Sequence, residues 1–350
     1  MGIIRVALAL AVLLGHLPIA EYRFMGAGLA VQSFFIVSGF YMAVVLNEKY
    51  ADRGLFYSNR LLRLLPTYFT MMLICGIALF GYGISATASP DLFALAFAHP
   101  GSAIVMAFEN LAILGQEMLF WFRLDDSGLS FDATGALPSE TSSVAWQALL
   151  VPQSWSLSME LMFYALAPFL TRLRGKPLLL IALASIGLRL SGHLLPVDYG
   201  IWQGRLFPTA LFLFVLGIFT QRMLPFAAVA RRPAQYAIAL ATLVLIVALP
   251  NLHLPDEPSR WMMYAIIAGS VPFIFSAFRG SALDRWIGDL SYPMYLCHLL
   301  VVALVLQYEP AHGAWVAIGA TFALSALLLV LVDRPVDRWR QARLINHPAA

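Results

Sequence analysis

RVALALAVLLGHLPIAEYRFMGAGLAVQSFFIVSGF, which runs from Arg5 to Phe40, is the stretch whose reading decides the fold. Its first half is apolar except for Arg5 and His16. At roughly 100° per residue the steps between them return the chain to nearly the same helix face, about 16 Å further along the axis. Ionisable side chains inside a membrane span are costly, usually face the protein interior and mark function. His16 is therefore the leading catalytic candidate. A signal peptide is the competing reading of this segment. Pro18-Ile19-Ala20 makes a poor cleavage site and a second apolar run follows at once, so the segment is expected to stay as the first span.

The rest of the chain has the same character. Of 350 residues, 61% are hydrophobic and 12% charged, with a mean hydropathy of +0.79. A soluble chain carries about 25% charged residues, so the expectation is an all-α, polytopic integral membrane bundle. The net charge of +3 comes from scattered loop arginines, which argues against a nucleic-acid partner. Cys75 and Cys297 lie in separate apolar runs, so no disulfide framework is expected. No His-x-x-x-His or Cys-x-x-Cys spacing occurs, and no metal is expected.

Ten spans are expected, at approximately 3–20, 28–47, 64–83, 154–171, 177–194, 203–221, 234–250, 260–278, 287–307 and 314–332. Residues 92–120 are apolar but interrupted, and are expected to form a re-entrant or interfacial helix pair. Lys49, Arg53, Arg60 and Arg63, then Arg172, Arg174 and Lys176, then Arg222, Arg231 and Arg232, then Arg279 and Arg285, and finally Arg334 to Arg343 fall on one face under this arrangement. Glu21, Asp91, Asp125, Asp126, Asp132, Glu140, Asp198, Asp256, Glu257 and Glu309 fall on the other. Because retained loops are rich in Lys and Arg, both termini are expected in the cytoplasm, with 121–150 as the one sizeable external loop. Residues 1–345 are read as one domain and 346–350 as a short cytoplasmic tail.

Four further stretches carry chemistry. In FFIVSGF, Ser38 and Gly39 permit close helix approach. Arg60-Leu-Leu-Arg63, followed by Pro66 and Tyr68, puts two guanidiniums on one helix face, a fork suited to a phosphate-bearing ligand or to anionic lipid. In SWSLSMELMFY, Glu160 can orient a histidine, bind a substrate hydroxyl, or pair with Arg189 or Arg205, while Trp155 stands at the interfacial level and Tyr164 follows one turn later. In LSYPMYLCH, Pro293 invites a helix break, and His298 is either a packing residue or part of the chemistry. Trp121, Trp155, Tyr199 and Trp202 are candidates to stack on sugar rings, or simple interfacial anchors.

In this order and spacing, together with a closing Asp333-Arg334-Pro335, these stretches resemble the acyltransferase 3 family of membrane O-acyltransferases, over nearly all of the chain. Asp333 stands where glutamate is expected and keeps the charge. The resemblance implies transfer of an acyl group, most often acetyl, from cytoplasmic acyl-CoA to a hydroxyl of a cell-surface glycan or lipid-linked sugar, in the bacterial cytoplasmic (inner) membrane. Under it, His16 and Glu160 are the expected catalytic pair. Arg5, Arg60, Arg63 and Tyr68 are expected to bind acyl-CoA, and Ser38, Trp155, Tyr164, Arg205 and His298 the acceptor. His16 serves either as general base or as a transient acyl carrier. A proton-coupled transporter or flippase is the alternative class, since it too needs buried Arg, His and Glu. No feature of the sequence indicates an oligomeric state.

Overall fold

The computed structural model describes all residues except 19–23, 49, 51, 136–142, 253, 309–311 and 347–350, and the side chains of 344–346. Expectations that rest on Glu21, Lys49, Glu140, Glu309 or the last four residues lie outside the described residues.

The chain opens with the short apolar α1 (Gly2–Leu14), followed by α2 (Ala27–Glu48) and α3 (Arg53–Tyr82). The short pair α4 (Pro90–Ala98) and α5 (Pro100–Ala112) comes next. A 3-10 turn at Gln116–Trp121 then leads into β1 (Phe122–Asp125), β2 (Gly128–Phe131) and β3 (Ser143–Val144). α6 (Trp155–Leu170) and α7 (Lys176–Ser191) precede α8 (Tyr199–Arg205) and α9 (Phe207–Gln221), a pair bent by 46°. After α10 (Leu224–Val229) come α11 (Arg232–Ala248) and α12 (Asp256–Phe278), then α13 (Ala282–Asp289) running into α14 (Ser291–Tyr308). Finally, α15 (Gly313–Leu328) passes through a π-helical stretch, Leu329–Asp333, into α16 (Arg334–Asn346).

Each expected span overlaps a helix, although the described part of the first, expected over 3–20, is helical only over Gly2–Leu14, and the count of ten crossings is not confirmed. Among the described residues, six helices are long and apolar enough to cross a membrane, and the bent α8–α9 pair makes a seventh if it is one span. At 13, 16 and 16 residues, α1, α6 and α7 fall short of the roughly 20 that a crossing takes. Large apolar side chains point outward in helical register, such as Leu73, Ile77 and Phe80 on α3 and Leu240, Val244 and Val247 on α11. Such stripes are stable where the surrounding medium is hydrocarbon.

Residues 90–150 hold more structure than a helix pair and a loop. The antiparallel sheet, in the order β2-β1-β3, buries Leu124 completely and packs with Leu92, Ala96, Met106 and Leu149 in a small core of its own. Alternation over so few residues is too weak to have announced these strands.

Close packing fixes the centre of the bundle. A Cβ on Gly39 would lie 2.0 Å from the Phe214 carbonyl oxygen, and one on Gly217 would lie 2.1 Å from that of Ile36. α2 and α9 therefore touch backbone to backbone, which turns Ser38, the neighbour of Gly39, to another wall. Asp52 caps α3 by accepting from the amides of Gly54 and Leu55. The helix thus starts about two turns before Arg60 and continues through Pro66.

Candidate functional site

A cavity of about 310 Å³ enters the bundle at the end where Arg60, Arg63, Arg285 and Arg340 converge. One wall is a single stripe of α2, with Val31, Phe34, Ser38, Tyr41 and Val45 recurring every three or four residues. Leu157, Glu160 and Tyr164 form the same pattern on α6, and Arg5 contributes from α1. The structure thus brings six of the expected site residues together: Arg5, Ser38, Arg60, Arg63, Glu160 and Tyr164.

The two arginines of the fork differ. Arg63 lies 3.8 Å from carboxylate oxygens of both Asp289 and Asp333, so its charge is already shared. Asp333 also accepts from the Thr67 hydroxyl, which ties the π-helical stretch to α3. Arg60 has no carboxylate partner among the described residues. It lies 5.8–6.0 Å from the ring centres of Tyr50, Phe56 and Tyr164, and its Nε is buried without a hydrogen bond. Of the two, it is Arg60, whose Nη2 donates to the Tyr50 hydroxyl at 3.4 Å, that keeps its charge open to an incoming anion.

Glu160 accepts from the Ser38 hydroxyl at 3.0 Å and from the Tyr164 phenol. Its partners are therefore cavity residues rather than His16, Arg189 or Arg205. Arg189 is fully buried and donates instead to the Gln203 carbonyl at 2.7 Å, the Gln203 side chain at 2.8 Å and Tyr264 at 3.1 Å.

At its far end the cavity stops on Ser156 and Tyr295, whose hydroxyls are 2.6 Å apart. Tyr295 also donates to the Gln153 carbonyl at 2.8 Å. Beyond this pair lie two imidazoles. The His298 ring centre is 5.8 Å from that of Tyr295 and 5.1 Å from that of His16. His298 is buried, whereas His16 is exposed on the turn that ends α1. His16 does not line the cavity; it lies two rings past its end. Its Nδ1 is 2.8 Å from the Val12 carbonyl. Because a carbonyl can only accept, the proton belongs on Nδ1 and Nε2 keeps a lone pair.

Arg205, Trp155 and Phe120 complete this end. The guanidinium is stacked on both rings, 3.9 Å from the centre of Trp155 and 4.3 Å from that of Phe120. Stacking occupies its faces and leaves the in-plane N–H edges free. Among the stacking candidates, Trp155 is covered by Arg205, Trp121 is buried edge-on to Trp202, and Tyr199 stacks on His193 at 3.8 Å.

Tyr68 belongs to neither end. It is fully buried, donates to the Asn110 carbonyl at 2.6 Å and anchors α5 to α3 rather than lining the cavity. Sequence reasoning missed Arg285, Arg340 and Tyr292 as cavity residues. In the sequence Arg340 counts only among the basic residues of one face, but α16 folds back on α3, where Arg343 donates to Ser58 at 2.9 Å. Among the described residues, no three metal-ligating side chains cluster.

No curated protein and no solved structure matches the chain. A family model described as an acyltransferase domain does match, over residues 1–333, and that span takes in the histidine pair and the cavity lining apart from Asp337, Arg340 and Gln341 of α16: the chain belongs to the acyltransferase 3 family.

Proposed function

We propose that this membrane acyltransferase takes an acyl group, with acetyl expected, from coenzyme A thioester at its basic end and delivers it to a hydroxyl at the far end. The acceptor is a cell-surface glycan or lipid-linked sugar, and the membrane is the bacterial cytoplasmic membrane with the basic end inside. The observation that carries this reading is the cavity. Its mouth is lined by arginines, Arg60 is without a carboxylate partner among the described residues, and its path ends one hydroxyl pair short of two histidines.

Arg60, helped by Arg285 and Arg340, binds phosphate groups of the donor, since guanidinium–phosphate contacts are charge-assisted and can be bidentate. The donor's slender arm then runs along the α2 stripe past Ser38, Glu160 and Tyr164. The thioester meets His16 only when the Ser156–Tyr295 pair parts. Nε2 of His16 takes the proton of the acceptor hydroxyl, whose oxygen pair forms the new bond to the thioester carbonyl carbon. The C–S bond then breaks with its electrons on sulfur, and the thiolate takes up a proton in the cavity. Base assistance of this kind is worth about 10²–10⁴-fold. Arg205, with its N–H edges free, holds the acceptor beside His16.

Mass spectrometry of surface glycans from cells with and without the gene tests the reading. A mass difference equal to one acyl group is expected and names that group. Identical glycans in both would refute the acceptor class. Labelled acyl-enzyme trapped without acceptor would replace the one-step route with a covalent one.

A further inference from the structure

We propose that His298 is a positioning partner of His16, a second imidazole that shares the proton His16 takes from the acceptor and thereby sets its strength as a base. The proposal rests on the reading of His16 as that base. His298 is 1% exposed, yet its Nε2 has no hydrogen-bond partner. Its other ring nitrogen, Nδ1, is 2.7 Å from the Tyr295 carbonyl one turn earlier on α14. As at His16, a carbonyl partner fixes the proton on Nδ1 and leaves the lone pair on Nε2. Two imidazoles with uncommitted Nε2 atoms therefore meet, with ring centres 5.1 Å apart.

Their surroundings make the second ring necessary. A working histidine is commonly oriented and charge-balanced by a carboxylate. Among the described residues, no carboxylate bonds to either ring, and Glu160 is engaged with Ser38 and Tyr164. The charged and titratable groups around the pair are Arg205 from α8, which is near enough to act on His16 electrostatically, and Tyr295 and Cys297 from α14. Arg205 is positive and opposes a second positive charge. A buried lone pair on the adjacent ring offsets that opposition as His16 becomes imidazolium. The proton passes from the acceptor oxygen to His16, is shared as N–H···N with His298, and ends on the thiolate released from the donor. No other bond forms or breaks at His298.

The test uses membrane vesicles that contain the full chain and its native acceptor, fed acetyl-coenzyme A labelled in the acyl group. His298→Leu is expected to lower kcat about a hundredfold, within the range of base assistance, while KM for the thioester stays within about threefold. The acidic limb of kcat/KM is expected to move to lower pH by about one unit, because the imidazolium has lost its neighbour. His298→Gln keeps an acceptor oxygen and should recover about tenfold of the lost rate. Equal losses in both variants with an unmoved limb, a rise in KM in place of the fall in kcat, or a leucine variant at the wild-type rate would each overturn the proposal. If the leucine variant does not accumulate, the glutamine variant decides alone by whether its limb moves. His16→Ala with normal incorporation would instead overturn the reading of His16 as the base.

Discussion

Five arginines and three carboxylates line the cavity at the basic end, whereas the far end places one stacked arginine beside two imidazoles, with no carboxylate bonded to them among the described residues. The basic end is assembled from α1, α2, α3, α6, α13, α14 and α16, and there Arg63 and Arg340 are ion-paired with Asp289, Asp333 and Asp337. The far end leaves the nitrogens that matter uncommitted. A binding region tolerates shared charge, because affinity needs only a surplus. A proton-transfer region needs groups that are not already satisfied. The contrast predicts that substitutions at the basic end act on donor affinity and assembly, and those at the far end on turnover.

The largest test is His16→Ala. Transfer should fall about 10²–10⁴-fold with donor affinity retained, as read by labelled acyl incorporation beside thioester binding. A loss of binding instead would erase the division between the ends. Next is Arg63→Ala, which strands Asp289 and the buried Asp333. Breaking a buried pair from one side costs about 3–5 kcal/mol, so the melting temperature in detergent should drop, and Asp333→Asn in the same chain should restore part of it. Arg60→Ala should do the reverse. A hydrogen bond to a charged group is worth about 1.5–3 kcal/mol, so KM for the thioester should rise roughly 10- to 100-fold with little change in melting. If the two arginine variants behaved alike, the asymmetry of the fork would be wrong.

Two smaller predictions concern contacts of α5 that line neither end. Tyr68→Phe removes the hydrogen bond to the Asn110 carbonyl and should cost about 1 kcal/mol of stability while leaving KM for the donor unchanged. Glu109, on α5 and outside the membrane-spanning helices, has its carboxyl pushed up to about 8 by burial and by the neighbouring Glu117. The folded state therefore holds a proton that the unfolded chain has lost. The stabilisation is complete below the ordinary glutamate value and fades as pH rises through 8. Amide protection over residues 100–121, taken as exchange relative to the intrinsic rate at each pH, should fall across that interval, and Glu109→Gln should abolish the fall.

The helical segments and the arginine fork were legible in the sequence because each is a local pattern: apolar runs, and two arginines three residues apart. Gly39 was legible for the same reason, since small residues announce close helix contact. Local pattern could not separate Arg60 from Arg63, whose difference lies in Asp289 and Asp333, on helices more than two hundred residues later. Nor could it place Glu160. Its spacing on α6 fixes a face, but the neighbour on that face is Ser38 of α2 rather than His16 of α1. Tyr68 follows the fork so closely that it looked like part of the donor site, yet it faces α5 on another side of the same helix. His16 and His298 each stood out as ionisable groups in apolar runs, but their meeting depends on how α1 packs against α14.

The hydroxyl pair of Ser156 and Tyr295 has a consequence for the cell as well as for the enzyme. A bundle hollow from one face to the other would let protons and ions run down their gradients at every moment of its life. With the cavity stopped at two side chains, the transfer proposed above would run from one compartment to the other while the membrane keeps its voltage.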